Sequence, residues 1–334
     1  MLKRFKDDTD PEVQKTFQVD QKTSFRIEKV CKAQFEITEK SLSFQSVKRI
    51  KAHTYTFRES VLGVHSEKLK TFMRKMRPAK TIKKLNVLCQ IDNTLTNLRL
   101  FRLTECLKYL TKLQDLHFDF SYCGGITCQG LQYLGKILKK FHSLKHLNLD
   151  FSICSDISVA GFPILGKALK GLASLQRVKI NFAAWDLINV FQRRVLKRRR
   201  SPISKEDEGP QNIPKNLKRC HSLQSLRLSF ISDVLITDER LLGFGQALKK
   251  LASLQEICLD FSYCENVTNF GLLSLCEGLE KLELLRYIHL DFEGCYNVTN
   301  EGILKAKYYL NMLPSLKTLD ISRDPEKKCQ KRLD

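Results

Sequence analysis

No stretch of about 18 uninterrupted apolar residues occurs in this 334-residue chain, which excludes an ordinary transmembrane helix. Nothing near the start has the layout of a secretory leader, because "MLKRFKDDTDPEVQ" turns acidic where an apolar run would stand. The twelve cysteines therefore read as thiols of a reduced, intracellular protein, in the cytoplasm ahead of the nucleus. There is no glycine-rich phosphate loop, no C-x-x-C pair and no Ser, His and Asp or Cys and His grouping outside a regular pattern. No catalytic residue, no metal ligand set and no cofactor is expected.

A period is present instead. The stretches "LHFDFSYCGGIT" from Leu116, "LNLDFSICSDIS" from Leu147, "ICLDFSYCENVT" from Ile257 and "IHLDFEGCYNVT" from Ile288 repeat one pattern. The apolar anchors before them are Ile82, Leu113, Leu144, Leu175, Leu223, Leu254, Leu285 and Leu316, spaced by 31 residues except for one gap of 48. Apolar residues fall three and five positions after each anchor, as Leu116 and Phe118 or Leu226 and Leu228 do. Alternation of that kind calls for a strand with one buried face.

The second half of each unit changes period. Leu131, Leu134, Leu138 and Phe141 are spaced 3, 4 and 3, as are Leu272, Leu275, Leu279 and Leu282, which is the stripe of a half-buried helix. Thr96, Thr127, Ser158, Asn189, Thr237, Thr268 and Thr299 fill one column in front of it, and each side chain is suited to cap a helix start. Gly130, Gly161, Gly271 and Gly302 would let a neighbouring repeat approach closely.

A short strand and one helix cannot bury their apolar faces alone, so such units stack. The pattern L-x-x-L-x-L followed by a helix resembles that of leucine-rich repeat proteins, and the long units are similar to the ribonuclease-inhibitor and cysteine-containing types. The resemblance implies an α/β fold: a curved solenoid with parallel strands on the concave face and helices on the convex face. Residues 82–322 carry it. Residues 1–23 read as a polar tail, 24–81 as degenerate repeats forming an N-terminal cap, and 323–334 as a charged tail. The 48-residue gap holds a basic insertion over 197–213, "KRRRSPISKEDEGPQNI". Cys123, Cys154, Cys264 and Cys295 fall where such repeats place an inward Asn or Cys that satisfies loop backbone. They stand about two residues later than in the usual cysteine-type pattern, so a bulge is expected after each strand.

The formal net charge is +21, yet residues 221–334 carry 14 Lys and Arg against 16 Asp and Glu. The excess sits in the first two thirds and suggests an acidic partner. Alternate strand positions should face outward, and among them Arg177, Lys179 and Arg227 cluster on adjacent strands. His146, Tyr287 and the column Asp119, Asp150, Asp260 and Asp291 are further candidates, the aspartates either for a structural turn or for an acidic strip. Arg193, Arg194, Lys197, Arg198, Arg199 and Arg200 form a basic loop beside them. The resemblance implies a non-enzymatic scaffold that binds a protein on its concave sheet. The alternatives are a substrate receptor of an SCF-type ubiquitin ligase and a basic nucleic-acid-associated protein. The first 60 residues, with only Leu2 and Leu42 as leucines and no Leu-Pro opening, speak against the ligase reading.

Overall fold

The computed structural model describes residues 54–60, 82–90, 95–157, 160–183, 209–233 and 235–323. Nine strands form one parallel sheet among the described residues, in the order of the chain: β1 (Thr54–Ser60), β2 (Lys84–Gln90), β3 (Asp115–Asp119), β4 (His146–Asp150), β5 (Arg177–Asn181), β6 (Ser225–Ser229), β7 (Glu256–Asp260), β8 (Tyr287–Asp291) and β9 (Thr318–Ser322). Helices follow the strands: α1 (Asn97–Leu107), α2 (Cys128–Leu138), α3 (Gly161–Leu169), α4 (Asn212–Leu217), α5 (Asp238–Leu248), α6 (Asn269–Leu279) and α7 (Asn300–Leu310). This is an α/β repeat solenoid. Strands β2 to β9 begin two residues after the eight anchors. Strand β1 lies in the segment read as degenerate repeats and pairs in parallel with β2. The rest of 24–81 and both tails, Arg323 excepted, lie outside the described residues, as does Arg193 to Arg200.

Alternation sets the layers. Leu147 and Leu149, with their counterparts in every strand from β2 to β8, belong to the same continuous core as Leu131, Leu134 and Leu138 of the following helices. The anchors from Ile82 to Leu285 are buried. At the start of each strand from β3 to β9 two successive N–H groups share one carbonyl of the preceding repeat. Lys145 and His146 donate to the Gln114 oxygen, for instance, and Gln255 and Glu256 to that of Gln224. The register of each strand is thereby tied to its neighbour before the ladder proper begins.

The turn after each strand departs from extended backbone as the late cysteine suggested. The inter-repeat ladder runs on through it, with Phe120 N donating to Asp150 O and Tyr122 N to Ser152 O. What breaks the strand is a left-handed residue: Tyr122 (φ 61°), Ile153 (58°), Ser232 (59°), Tyr263 (61°) and Gly294 (71°). The following cysteine is fully buried, and its thiol donates to a carbonyl one repeat earlier. Cys123 Sγ reaches Cys89 O at 2.8 Å, Cys154 reaches Phe120 O at 3.1 Å, Cys264 reaches Phe230 O at 3.3 Å and Cys295 reaches Phe261 O at 3.2 Å. Burial pushes the Cys154 and Cys264 thiols well above their ordinary range and Cys295 up to about 12, so they stay protonated as the donors this role needs. In the repeat of β6, Asp233 takes the column, fully buried, and accepts from Leu235 N at 2.9 Å. Among the described residues no cysteine is joined in a disulfide.

Helix starts follow the expected column in part. Thr127, Thr237, Thr268 and Thr299 accept from N–H groups of their own first turns. Thr96 makes no such bond, and α3 begins after Ala160. Ser158 and Asn189 lie outside the described residues. The residue after the cap adds a bond between repeats. Asn97 Oδ1 accepts from Thr127 N at 3.0 Å, Asp238 Oδ1 from Thr268 N at 2.8 Å and Asn269 Oδ1 from Thr299 N at 2.8 Å. A Cβ at Gly130, Gly271 or Gly302 would lie within 2.7 Å of those same oxygens, so glycine there makes room for the link.

Asn212 and Ile213, read as the end of the insertion, instead sit in α4, where Ile213 is fully buried. Asn212 is buried as well, so both residues belong to the packed array.

Two stability outcomes follow from this packing. Leu147 is buried between strand neighbours, and Leu147→Asp places an unpaired charge in the shared core at a cost of several kcal/mol. Thermal melting followed by circular dichroism should lose its cooperative transition. The glycines of α5 and α6 should split in sign. A Cβ on Gly278 would meet the Gly245 carbonyl oxygen at 2.2 Å, so Gly278→Ala should destabilise by about 1–3 kcal/mol. Gly243 faces Gln211 Cγ at an ordinary 3.6 Å, and Gly243→Ala should stabilise by about 0.5–1 kcal/mol through helix propensity. Urea denaturation of both variants measures the difference.

Candidate functional site on the open sheet face

Side chains between the buried strand positions project from the helix-free face, and the parallel register sorts them into two straight rows. One row reads Lys84, Asp115, His146, Arg177, Ser225, Glu256, Tyr287 and Thr318. The other reads Asn86, His117, Asn148, Lys179, Arg227, Cys258, His289 and Asp320. Neighbouring strands are about 4.8 Å apart, so residues adjacent in a row are within mutual reach.

A shallow depression of about 290 Å³ opens over β2 to β6, with Lys84, Asn86, His117, His146, Asn148, Arg177, Lys179, Ser225 and Arg227 at its walls. Of the expected residues it gathers Arg177, Lys179, Arg227 and His146. Lys84 and Asn86 were not among the candidates, although their offsets from Ile82 are those of Asp115 and His117 from Leu113. Tyr287 stands on β8, away from the depression and half-buried.

The charges there are unequally committed. His146 Nδ1 bonds the carboxylate of Asp115, and His289 Nδ1 lies 3.1 Å from Asp320 Oδ2. Arg227 comes within 3.8 Å of Glu256 Oε2, both largely in solvent, a pairing that contributes little. Arg177 and Lys179 are exposed, and among the described residues no carboxylate pairs with either. Their field is felt by neighbours. Burial pushes the Cys258 thiol up while Arg227 and Lys179 pull it down, and burial lowers His117, helped by Lys179 and Lys84 and opposed by Asp119.

The aspartate column belongs to the turns. Asp119 Oδ1 accepts from Ser121 N at 3.1 Å and Oγ at 2.7 Å, Asp150 from Ser152 at 2.9 and 2.6 Å, and Asp260 from Ser262 at 3.0 and 2.6 Å. Asp291 accepts from Glu293 N at 3.0 Å, and Asn181 does the same for Ala183. Asp119 also accepts from Gln90, and Asp150 from Asn181 Nδ2 at 3.0 Å. Asp291 is 1% exposed and Asp119 9%, which leaves a partner little of either to grip. Of the two roles open for this column, the structure displays the turn. Crowding by burial and by Asp119 raises the Asp150 carboxyl above its usual range, the cost of stacking these acids side by side.

No family model and no curated protein matches the chain. Among solved structures it is similar to the tropomodulin C-terminal domain of Caenorhabditis elegans, at 13% identity and a TM-score of 0.35, over 55% of this chain and 92% of that one. It is also similar to a protein from Bacteroides fragilis, at 12% identity and a TM-score of 0.40, over 88% of this chain and 82% of that one. Both likenesses are loose; the repeat architecture stands on the 31-residue register described above. Among the described residues no group of three or more His, Cys, Asp or Glu is placed to hold a metal ion, and no helix is long and apolar enough to cross a membrane.

His117 supplies a check on the electrostatics of the depression. Its folded pKa is below the ordinary 6.5, so the unfolded chain takes up the proton first as pH falls. Its contribution is therefore a loss of stability as pH drops from about 6.5 through the folded pKa, and none above that window. An NMR titration should find His117 protonating below the ordinary value, and Lys179→Gln should move it back upward.

Proposed function

We propose that this chain is a non-enzymatic interaction scaffold, acting inside the cell, whose open sheet face holds an acidic protein segment over β5 and β6. The observation that carries the reading is the focus of Arg177, Lys179 and Arg227, exposed on adjacent strands at the edge of the depression. Two of these cations have no carboxylate partner among the described residues, and the third has only a solvent-exposed one. Positive charge carried on a rigid sheet is available to a ligand, and the sheet fixes the spacing of its attachment points in advance. The basic run Lys197 to Arg200 enters the chain between β5 and β6 and would add long-range attraction.

The test uses whatever partner an affinity capture with the full chain recovers at low salt. Reversal of Arg177, Lys179 and Arg227 to Glu together should weaken that complex by about tenfold or more while leaving the melting temperature in place, since all three are exposed. Deleting residues 197–207, a cut that spares α4, should slow association and flatten its salt dependence with little change in dissociation. Unchanged binding in the triple reversal removes the sheet-face reading. Recovery that disappears on nuclease treatment transfers the assignment to nucleic acid, and co-recovery of ligase adaptor subunits transfers it to the ubiquitin system.

A further inference from the structure

The same focus has a geometry that favours one kind of anion. Arg177 and Lys179 project from β5 two residues apart, roughly 6.6 Å along the strand. Lys179 stands directly opposite Arg227, and Arg177 directly opposite Ser225, across a gap of about 4.8 Å. On the other side Asn148 stands opposite Lys179. Three cations and two neutral donors thus surround one spot three strands wide, at the wall of the depression.

A carboxylate brings one charge and two oxygens. Bound to one guanidinium in the usual paired fashion, it would leave two cations facing each other a few ångströms apart. A phosphate monoester brings nearly two charges and three terminal oxygens, enough to be shared by both arginines and the lysine, with Ser225 or Asn148 on a remaining lone pair. We propose that Arg177, Lys179 and Arg227 form a receptor for a single phosphate group carried on a phosphorylated side chain of the partner protein. This rests on the reading of the open face as the partner-binding surface.

The flanks of the rows separate a phosphopeptide from a nucleic acid. Asp115 lies two strands to one side of Arg177, and Glu256 two strands to the other, in the same row. A polyanion laid across the strands would bring its neighbouring phosphates over those carboxylates, whereas a peptide bearing one phosphate presents neutral backbone there. Asn86, His117 and Asn148 offer that backbone uncharged partners, since His117 is held in its neutral form at neutral pH.

The test measures fluorescence anisotropy of the full chain with degenerate nonapeptide pools whose central residue is fixed as phosphoserine, glutamate or serine. The phosphoserine pool should bind at least tenfold more tightly than the glutamate pool. Inorganic phosphate should compete, and chloride at equal ionic strength should not. Affinity should rise between about pH 5 and pH 7.5 as the monoester takes its second charge near pH 6. The joint variant Arg177→Gln, Lys179→Gln and Arg227→Gln should abolish the preference with unchanged melting. Equal binding of the phosphoserine and glutamate pools overturns the proposal, as does absence of saturable binding by the phosphoserine pool. A single-stranded RNA oligonucleotide that displaces the phosphopeptides more effectively than inorganic phosphate, through the same three residues, overturns it too. If the captured partner needs the three cations but binds equally well after phosphatase treatment, the phosphate receptor falls and the scaffold reading stands.

Discussion

No repeat of this chain can satisfy its own backbone. The starts of strands β3 to β9 each hand two N–H groups to a carbonyl of the repeat before, and four of the turns send a thiol back to another. A buried carbonyl left without a donor costs about 1–3 kcal/mol, so the turns are stable only when a neighbour is stacked in register. That requirement explains the rigid 31-residue period better than hydrophobic burial does. Apolar side chains tolerate a shift of an ångström or two, and directional hydrogen bonds do not. The phenylalanines after the strands obey the same spacing, with Phe182, Phe230, Phe261 and Phe292 ring centroids 5.4 to 5.6 Å apart in a stacked row through the core. The row crosses the 48-residue gap without interruption, because β6 pairs with β5 in the same register that joins the other strands.

What could be read from the sequence was what each repeat encodes within itself. Alternation gave the strands and their buried side, the 3-4-3 spacing gave the helices, and a column of cysteines gave an inward position. The contacts that link repeats were harder to see, because their separations differ from the period. Asn97 meets Thr127 and Asn269 meets Thr299 at a separation of 30, and Cys154 meets Phe120 at 34. Searching at 31 alone passes over both. The Asn or Asp following Thr96, Thr237, Thr268 and Thr299 was the available clue to the first. The aspartates were ambiguous for another reason. Their spacing fits an acidic strip as well as a turn, and only the Ser121, Ser152 and Ser262 donors two residues on decide what the carboxylates do. The boundary at Asn212 was missed because a helix of six residues has too little periodicity to register against a polar insertion.

The candidate site was legible as a set of columns and illegible as a balance of charges. Counting offsets placed Arg177, Lys179 and Arg227 on one face, but sequence distance gave no way to tell which carboxylates were already committed. Asp115 is held by His146 and Asp320 by His289, pairs formed across strands by residues 31 apart. The aspartates at the strand ends are held by their own turns. Once these are set aside, Arg177 and Lys179 have no carboxylate partner among the described residues, and Arg227 keeps only its loose contact with Glu256.

The overall charge of +21 is therefore a poor guide to where this protein binds. At physiological ionic strength, exposed charges beyond about 8 Å are largely screened, so a ligand on the sheet responds to its nearest neighbours and only weakly to the basic half of the chain. Near β5 those neighbours are two exposed cations with which no carboxylate pairs among the described residues and a third shared loosely with Glu256. Two strands away on either side the sign reverses at Asp115 and Glu256. A positive spot bounded by negative ones selects for the size of an anion as well as its charge. The rigid ladder that fixes each repeat to the next also fixes that boundary, so the specificity of the surface depends on the same hydrogen bonds that hold the solenoid together.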